Sequence, residues 1–110
     1  MNTMNLASIA VRVYQMDAMV AFYSEAFNVQ FENVVTSGFT SKFGSINGII
    51  LKFVPIREEV DFENYPIHQL GFSVPDIEKV IKIALKHGGK TEGNAAVRDP
   101  DGNTLELYSE

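Results

Sequence analysis

The chain of 110 residues contains no cysteine. This absence excludes a disulfide scaffold, metal sites built on thiolates and catalysis by a cysteine nucleophile. Also missing are a phosphate-binding Walker loop, the glycine fingerprint of dinucleotide-binding folds and the serine elbow of hydrolases. Phosphoryl transfer and hydrolysis by a serine triad therefore have no support.

Basic residues are few, since Lys and Arg number 9 against 14 Asp and Glu, for a formal net charge of −5. No basic stripe is present to replace the counterions of a nucleic acid, so we expect no nucleic-acid partner. No apolar run approaches the roughly 20 residues of a membrane span. Arg12 interrupts the first apolar stretch, so we expect no signal peptide and a soluble cytoplasmic protein of one domain.

The first half of the chain predicts one strand, one helix and three more strands. Alternating apolar residues predict the first strand over residues 6–14. Asp17 is expected to cap the helix and Asn28 to end it, because Asn tolerates left-handed backbone. The segments of period two that follow predict strands at Val29–Thr36, Phe39–Phe43 and Ile46–Val54.

The second half repeats this order at an offset of about 60 residues. A strand is expected at Ile67–Val74, and the next helix begins at Pro75-Asp76 and stops at Gly88-Gly89. A hairpin joins Ala95–Arg98 to Thr104–Tyr108. The chain therefore predicts module one at about 5–55, a linker at about 56–66 and module two at about 67–110.

Three segments resemble the vicinal oxygen chelate superfamily, which includes glyoxalase I, extradiol dioxygenases and the fosfomycin and bleomycin resistance proteins. The segments are Ile9–Val13 with Asp17 and Ala21–Tyr23, then Leu70–Asp76, then Arg98–Leu107. The resemblance covers nearly the whole chain. It implies an α+β fold of two βαβββ modules that form cupped mixed sheets, the glyoxalase/bleomycin resistance fold. It also implies a homodimer whose modules combine to complete two cavities.

Metal-dependent members of this superfamily hold a divalent ion with four side chains, one from the first and one from the last strand of each module. The resemblance places these positions at Ser8, Leu51, Gln69 and Glu106. Only Glu106 is a strong ligand, because Ser and Gln offer neutral oxygens and Leu offers none. We therefore expect no metal and no other cofactor. A β-bulge that recruits His68 stays open as an alternative.

Side chains alternate between the two faces of a strand, so every second residue counted from these four positions is predicted to line a small-molecule cavity. Phe39 and Phe43 are expected beside the ligand, whereas Phe22, Phe27 and Phe72 are expected in the core. The predicted wall comprises Ser8, Ala10, Arg12, Ile49, Leu51, Phe53, Gln69, Gly71, Thr104, Glu106 and Tyr108.

Two charged residues of this wall have open roles. Arg12 either binds an anionic substrate through its planar fork or is an ordinary surface arginine. Glu106 either acts as a general base or grips a cationic group, or it is a structural carboxylate paired with Arg12 or another base.

The expected function is metal-independent binding of a small molecule by a protein of the glyoxalase/bleomycin resistance type. The alternative is a lyase, isomerase or dioxygenase-like enzyme in which Glu106 is the general base or the remaining metal ligand. A third possibility is a non-catalytic dimeric module whose pocket no longer has a function. The predicted ligand-binding residues are Ser8, Arg12, Phe39, Phe43, Leu51, Phe53, Gln69 and Tyr108, with Glu106 as the candidate catalytic residue.

Overall fold

A computed structural model describes residues 3–56 and 67–110 of the chain. The predicted linker lies almost wholly outside the described residues. No helix in the described ranges is long and apolar enough to cross a membrane. The elements, in chain order, are β1 (Ser8–Val13), α1 (Met16–Phe27), β2 (Glu32–Thr36), β3 (Phe39–Ile46), β4 (Ile49–Pro55), β5 (Gln69–Val74), α2 (Ile77–Lys86), β6 (Lys90–Thr91), β7 (Ala96–Arg98) and β8 (Thr104–Ser109).

The two halves of the chain form two sheets with the same topology. The first sheet has the strand order β1-β4-β3-β2 and the second has the order β5-β8-β7-β6. In each sheet the first strand of the module pairs in parallel with the last, and the other pairs are antiparallel. The predicted α+β class with two βαβββ modules is confirmed.

Two tight turns separate the strands of the first sheet. Both residues of Ser37-Gly38 and of Asn47-Gly48 have positive φ, between 47° and 86°. This backbone matches a type I′ hairpin turn, whose twist fits that of the paired strands. The second turn ends β3 at Ile46, so the predicted start of the next strand at Ile46 is wrong. The strand β4 begins only at Ile49.

The start of α1 differs from the sequence prediction. The helix begins at Met16, so Asp17 lies in its first turn and the N-cap is Gln15. No side chain caps the helix at that position. The carboxylate of Asp101 instead accepts hydrogen bonds from the backbone N–H groups of Tyr14 (2.7 Å) and Gln15 (2.9 Å). A residue of the second module therefore holds the two residues that lead into α1, which local sequence could not indicate.

The other helix ends agree with their predicted signals. Asn28 follows α1 in the left-handed conformation, with φ of 56°. Asp76 caps α2 by accepting a 3.1 Å hydrogen bond from the backbone N–H of Lys79. Gly88 lies just after α2 with φ of 89°, a conformation that favours glycine.

The core lies between the two helices and one face of each sheet. Phe27 of α1 stacks on Phe72 of β5 with ring centroids 4.0 Å apart, so the two modules share one core. The predicted core positions of Phe22, Phe27 and Phe72 are confirmed. The buried cluster comprises Val11, Val13, Met19, Phe22, Tyr23, Leu51, Phe53, Val74, Val80, Ile83, Ala84, Val97, Leu105 and Leu107. Strand alternation leaves the second face of each sheet open.

Candidate functional site

The register of β1 and β4 decides which residues share the open face of the first sheet. Ala10 pairs with Lys52, so Lys52 lies on the face of Ser8 and Arg12. Leu51 lies on the opposite face, where it is only 3% exposed. The prediction that Leu51 shares a face with Ser8 is therefore wrong, and Leu51 instead lines a separate pocket with Ile49 and Gly71. An offset of one residue along a strand moves a side chain to the other face.

Phe53 and Ile49 have the same strand parity as Leu51, so they too lie on the face opposite Ser8. Phe53 is fully buried, with its ring 5.0 Å from that of Tyr23 and 4.9 Å from that of Phe31. It belongs to the core that the helices cover. The structure thus separates Leu51 and Phe53 from the other predicted ligand-binding residues.

The two sheets correspond residue by residue because their topologies match. Ala10 is the third residue of β1, and Gly71 is the third residue of β5. Gly71 pairs with Glu106 just as Ala10 pairs with Lys52. Lys52 therefore occupies in the first sheet the position that Glu106 occupies in the second. The internal repeat carries opposite charges at its two equivalent positions.

Glu106 is the centre of a hydrogen-bonded group on the open face of the second sheet. The side-chain amide of Gln69 donates to Oε1, and the hydroxyl of Tyr108 donates to Oε2. The carboxylate raises the pKa of Tyr108, chiefly through this hydrogen bond, so the phenol stays a donor. A Cβ at Gly71 would lie 3.2 Å from Cε2 of Tyr108, so the glycine leaves room for the ring. The structure brings these predicted site residues together.

Two other charged side chains near this face of the second sheet pair with each other. Arg98 forms a 3.2 Å ion pair with Glu92, whose other oxygen accepts a 3.2 Å hydrogen bond from the hydroxyl of Thr104. Within residues 3–56 and 67–110, no basic side chain forms an ion pair with Glu106. The proposed structural pairing of Glu106 with Arg12 is therefore absent from this part of the chain.

The open face of the first sheet combines basic and aromatic side chains. Phe43 pairs with Lys52, whose ammonium lies 5.3 Å from the centre of the Phe43 ring. Phe39 has the same strand parity as Phe43 and lies on this face too. The structure therefore places Ser8, Arg12, Phe39 and Phe43 on one face and adds Lys52, which the sequence reasoning missed.

A shallow pocket of about 340 Å³ lies on this face beside Phe43. Ile50 and Val34 provide its apolar walls, and Ser45 and Glu32 provide polar groups.

The four positions that would hold a metal in this arrangement do not fit a divalent cation. They are Ser8, Lys52, Gln69 and Glu106, which offer one carboxylate and one ammonium that repels a cation. No three His, Cys, Asp or Glu side chains of the described ranges are arranged to hold a metal ion. The pairing of β5 with β8 runs without interruption from Gln69, so no bulge in it turns His68 toward Glu106.

Comparison with known proteins assigns this geometry to a known fold. A profile of the Glyoxalase/Bleomycin resistance protein/Dioxygenase superfamily matches residues 5–107. No curated protein matches the chain in sequence.

Three solved structures illustrate the likeness. A glyoxalase/bleomycin resistance protein from Albidiferax ferrireducens T118 is 17% identical, with a TM-score of 0.68 over 96% of this chain and 98% of that chain. The trypanothione-dependent glyoxalase I of Leishmania major is 19% identical, with a TM-score of 0.69 over 98% and 88%. Oxidase ChaP-H2 is 16% identical, with a TM-score of 0.72 over 99% and 95%. At these identities the likeness shows the fold alone, and the predicted fold is confirmed.

Proposed function

Because the chain belongs to the Glyoxalase/Bleomycin resistance protein/Dioxygenase superfamily, we propose that it binds a small organic molecule on its open sheet faces without a metal ion. One observation carries this proposal: Gln69 and Tyr108 orient the Glu106 carboxylate, and both are neutral donors. Neutral donors fix the direction of the oxygens and do not themselves compensate the negative charge. Each oxygen keeps a free lone pair, which suits an N–H or O–H group of a ligand.

A second copy of the chain completes the site in this proposal. Leu6 and Ile67 lie two residues before β1 and β5, at equivalent places in the repeat, and are 59% and 48% exposed. Ile50 and Tyr108 expose 42% and 53% of their surface on the two open faces. Burial of such surface stabilises an association by about 25 cal/mol per Å² of apolar area. A homodimer would cover these side chains and enclose the ligand.

Light scattering coupled to size-exclusion chromatography tests the dimer. The double variant Leu6→Ser with Ile67→Ser is expected to be monomeric under conditions where the unmodified chain is dimeric. Leu85→Ser is the matched control, because Leu85 is 54% exposed on α2, which packs on the core side of the sheets and not on the open faces. A monomeric unmodified chain at high concentration would contradict the dimer.

A metal-free enzyme of the same superfamily is the second candidate function. The observation that favours it is the contact of a carboxylate with a phenol that is held protonated. Such a pair provides a proton acceptor and a proton donor at one place. In that case Glu106→Gln would abolish turnover while the protein still binds its substrate.

The cytoplasmic location of the protein stays a prediction.

A thermal-shift screen of a broad compound library, followed by calorimetry, tests the binding function. Ligands that stabilise the protein are expected to lose affinity in Glu106→Gln, whereas Glu78→Gln, exposed on α2, leaves the affinity unchanged. A library that contains no stabilising compound would count against the proposal. Stoichiometric divalent metal in protein purified without a histidine tag would overturn its metal-independent character.

A further inference from the structure

Two basic side chains stand side by side on the open face of the first sheet. Arg12 is exposed on the edge strand β1, and Lys52 is half-buried on the neighbouring strand β4. Lys52 pairs with Ala10, two residues before Arg12, so the two backbone positions are about 8 Å apart. Two long side chains at this separation reach the same small anion.

No carboxylate of the described residues neutralises this pair. Among the residues that the structure describes, the nearest acidic one on this face is Glu32, two strands from Lys52, with Phe43 between them. The chain as a whole carries a net charge of −5. Two adjacent cations that share one face and have no carboxylate partner in residues 3–56 and 67–110 favour an anionic ligand group.

The neighbours of the two cations indicate what the anion is attached to. The ring of Phe43 holds the ammonium of Lys52 at 5.3 Å, which restricts the lysine before a ligand arrives. Phe43 and Ile50 line the pocket of about 340 Å³ on the same face, a volume that accepts a single ring. The planar fork of Arg12 matches the two oxygens of a carboxylate.

We infer that Arg12 and Lys52 bind the carboxylate of a small aromatic acid, whose ring packs on Phe43 and Ile50. This inference rests on the proposed function, since it names the chemistry of the bound molecule. It also explains why Lys52 stands where the repeat has Glu106: in a site without a metal, a lysine supplies the positive charge that an anion needs.

Titration of the isotope-labelled protein by two-dimensional NMR, with benzoate as the probe, tests this inference. Benzoate is expected to shift the backbone amides around Arg12, Lys52 and Phe43. Benzylamine, which has the same ring and the opposite charge, should not shift them. Acetate, which lacks the ring, should bind more weakly. Lys52→Gln and Arg12→Gln should each weaken benzoate binding by about tenfold or more, as expected for loss of a charge-assisted hydrogen bond.

Lys42→Gln is the matched control, because Lys42 pairs with Phe53 and so lies on the opposite face of the sheet. It should leave benzoate affinity unchanged. Both test positions tolerate substitution, because neither is fully buried, and thermal melts verify that the variants fold. Arg12→Lys keeps the positive charge but loses the planar guanidinium group, so it should retain part of the affinity for benzoate.

Benzoate affinity that survives both Lys52→Gln and Arg12→Gln would overturn the inference. So would a loss of self-association in these variants with benzoate affinity unchanged, because the face would then be a contact between two copies. Glu106→Gln separates this inference from the proposed function. If it alters the affinity of no ligand while benzoate still binds beside Lys52, the proposed role of Glu106 fails and the anion site stands.

Discussion

The hydroxyl of Tyr23 donates a 2.7 Å hydrogen bond to Oδ2 of Asp99, which links helix α1 of module one to the β7–β8 turn of module two. Both residues are buried, at 0% and 2% exposure. Oδ1 of Asp99 also accepts from the backbone N–H groups of Asp101 (3.0 Å) and Asn103 (2.9 Å). Burial raises the pKa of both Asp99 and Tyr23. The Tyr23 hydroxyl and the two backbone N–H groups occupy the oxygens of the Asp99 carboxylate. We therefore assign Asp99 the role of joining the two modules.

Tyr23→Phe is expected to destabilise the fold without creating a cavity. The substitution removes the donor that module one provides to the buried carboxylate, and the ring remains. A hydrogen bond to a charged group contributes roughly 1.5–3 kcal/mol, so the free energy of unfolding should fall by about that amount. Urea unfolding measures it. Tyr108→Phe is the control, because Tyr108 is 53% exposed and its loss should change stability little. Equal stability of Tyr23→Phe and the unmodified chain would contradict this role.

The same phenol should make stability fall at alkaline pH. The pKa of Tyr23 in the folded chain is raised above the ordinary value of 10.0, first by burial and then by the charge of Asp99. A raised pKa means that the stabilisation is fully present below pH 10.0 and is lost as the pH rises above it. Urea unfolding as a function of pH should show the difference between the unmodified chain and Tyr23→Phe shrinking above pH 10.0. A constant difference would refute the assignment.

Asp101→Ala should loosen the first turn of α1. Asp101 is 6% exposed and accepts from the backbone N–H groups of Tyr14 and Gln15, and the substitution removes these two hydrogen bonds. We expect a cost of roughly 1–3 kcal/mol in the free energy of unfolding. Hydrogen exchange should speed up at the start of α1. Asp101→Asn keeps one acceptor oxygen, so its free energy of unfolding should lie between those of Asp101→Ala and the unmodified chain. Unchanged exchange in this turn would rule out the contact.

Gly71→Ala should impair the site with little effect on the fold. The added Cβ would lie 3.2 Å from Cε2 of Tyr108, and the exposed ring has room to move away. The phenol would then leave Glu106, so the raised pKa of Tyr108 should return toward its ordinary value of 10.0. NMR of labelled tyrosine rings follows this titration, with Tyr108→Phe to assign the signal. A pKa of Tyr108 unchanged by Gly71→Ala would show that the glycine does not position the ring.

Local signals predicted most of the architecture because they act within a few residues. Asn28 ends α1 as expected, since a residue that tolerates left-handed backbone stops a helix wherever it stands. Asp76 caps α2, because its side chain needs only the N–H three residues ahead. The order of elements repeats along the chain, so the two-module fold could be predicted from the sequence alone.

The face of β4 was predicted wrongly because strand register is a non-local property. Leu51 and Lys52 are adjacent, and only the pairing with β1 decides which of them faces the helices. A signal was nevertheless present in the sequence. Lys52 and Glu106 each stand four residues after the glycine of a turn, Gly48 and Gly102.

The sequence by itself determined two similar modules, their turns and most of their helix ends, since each depends on residue type and short spacing. Only the tertiary structure decided the roles of the acidic residues. Asp99 and Asp101 hold the modules together, whereas Glu106 stays on an open face. The physical reason is that burial and partners depend on chain segments far apart, such as Tyr23 and Asp99, which are 76 positions from each other.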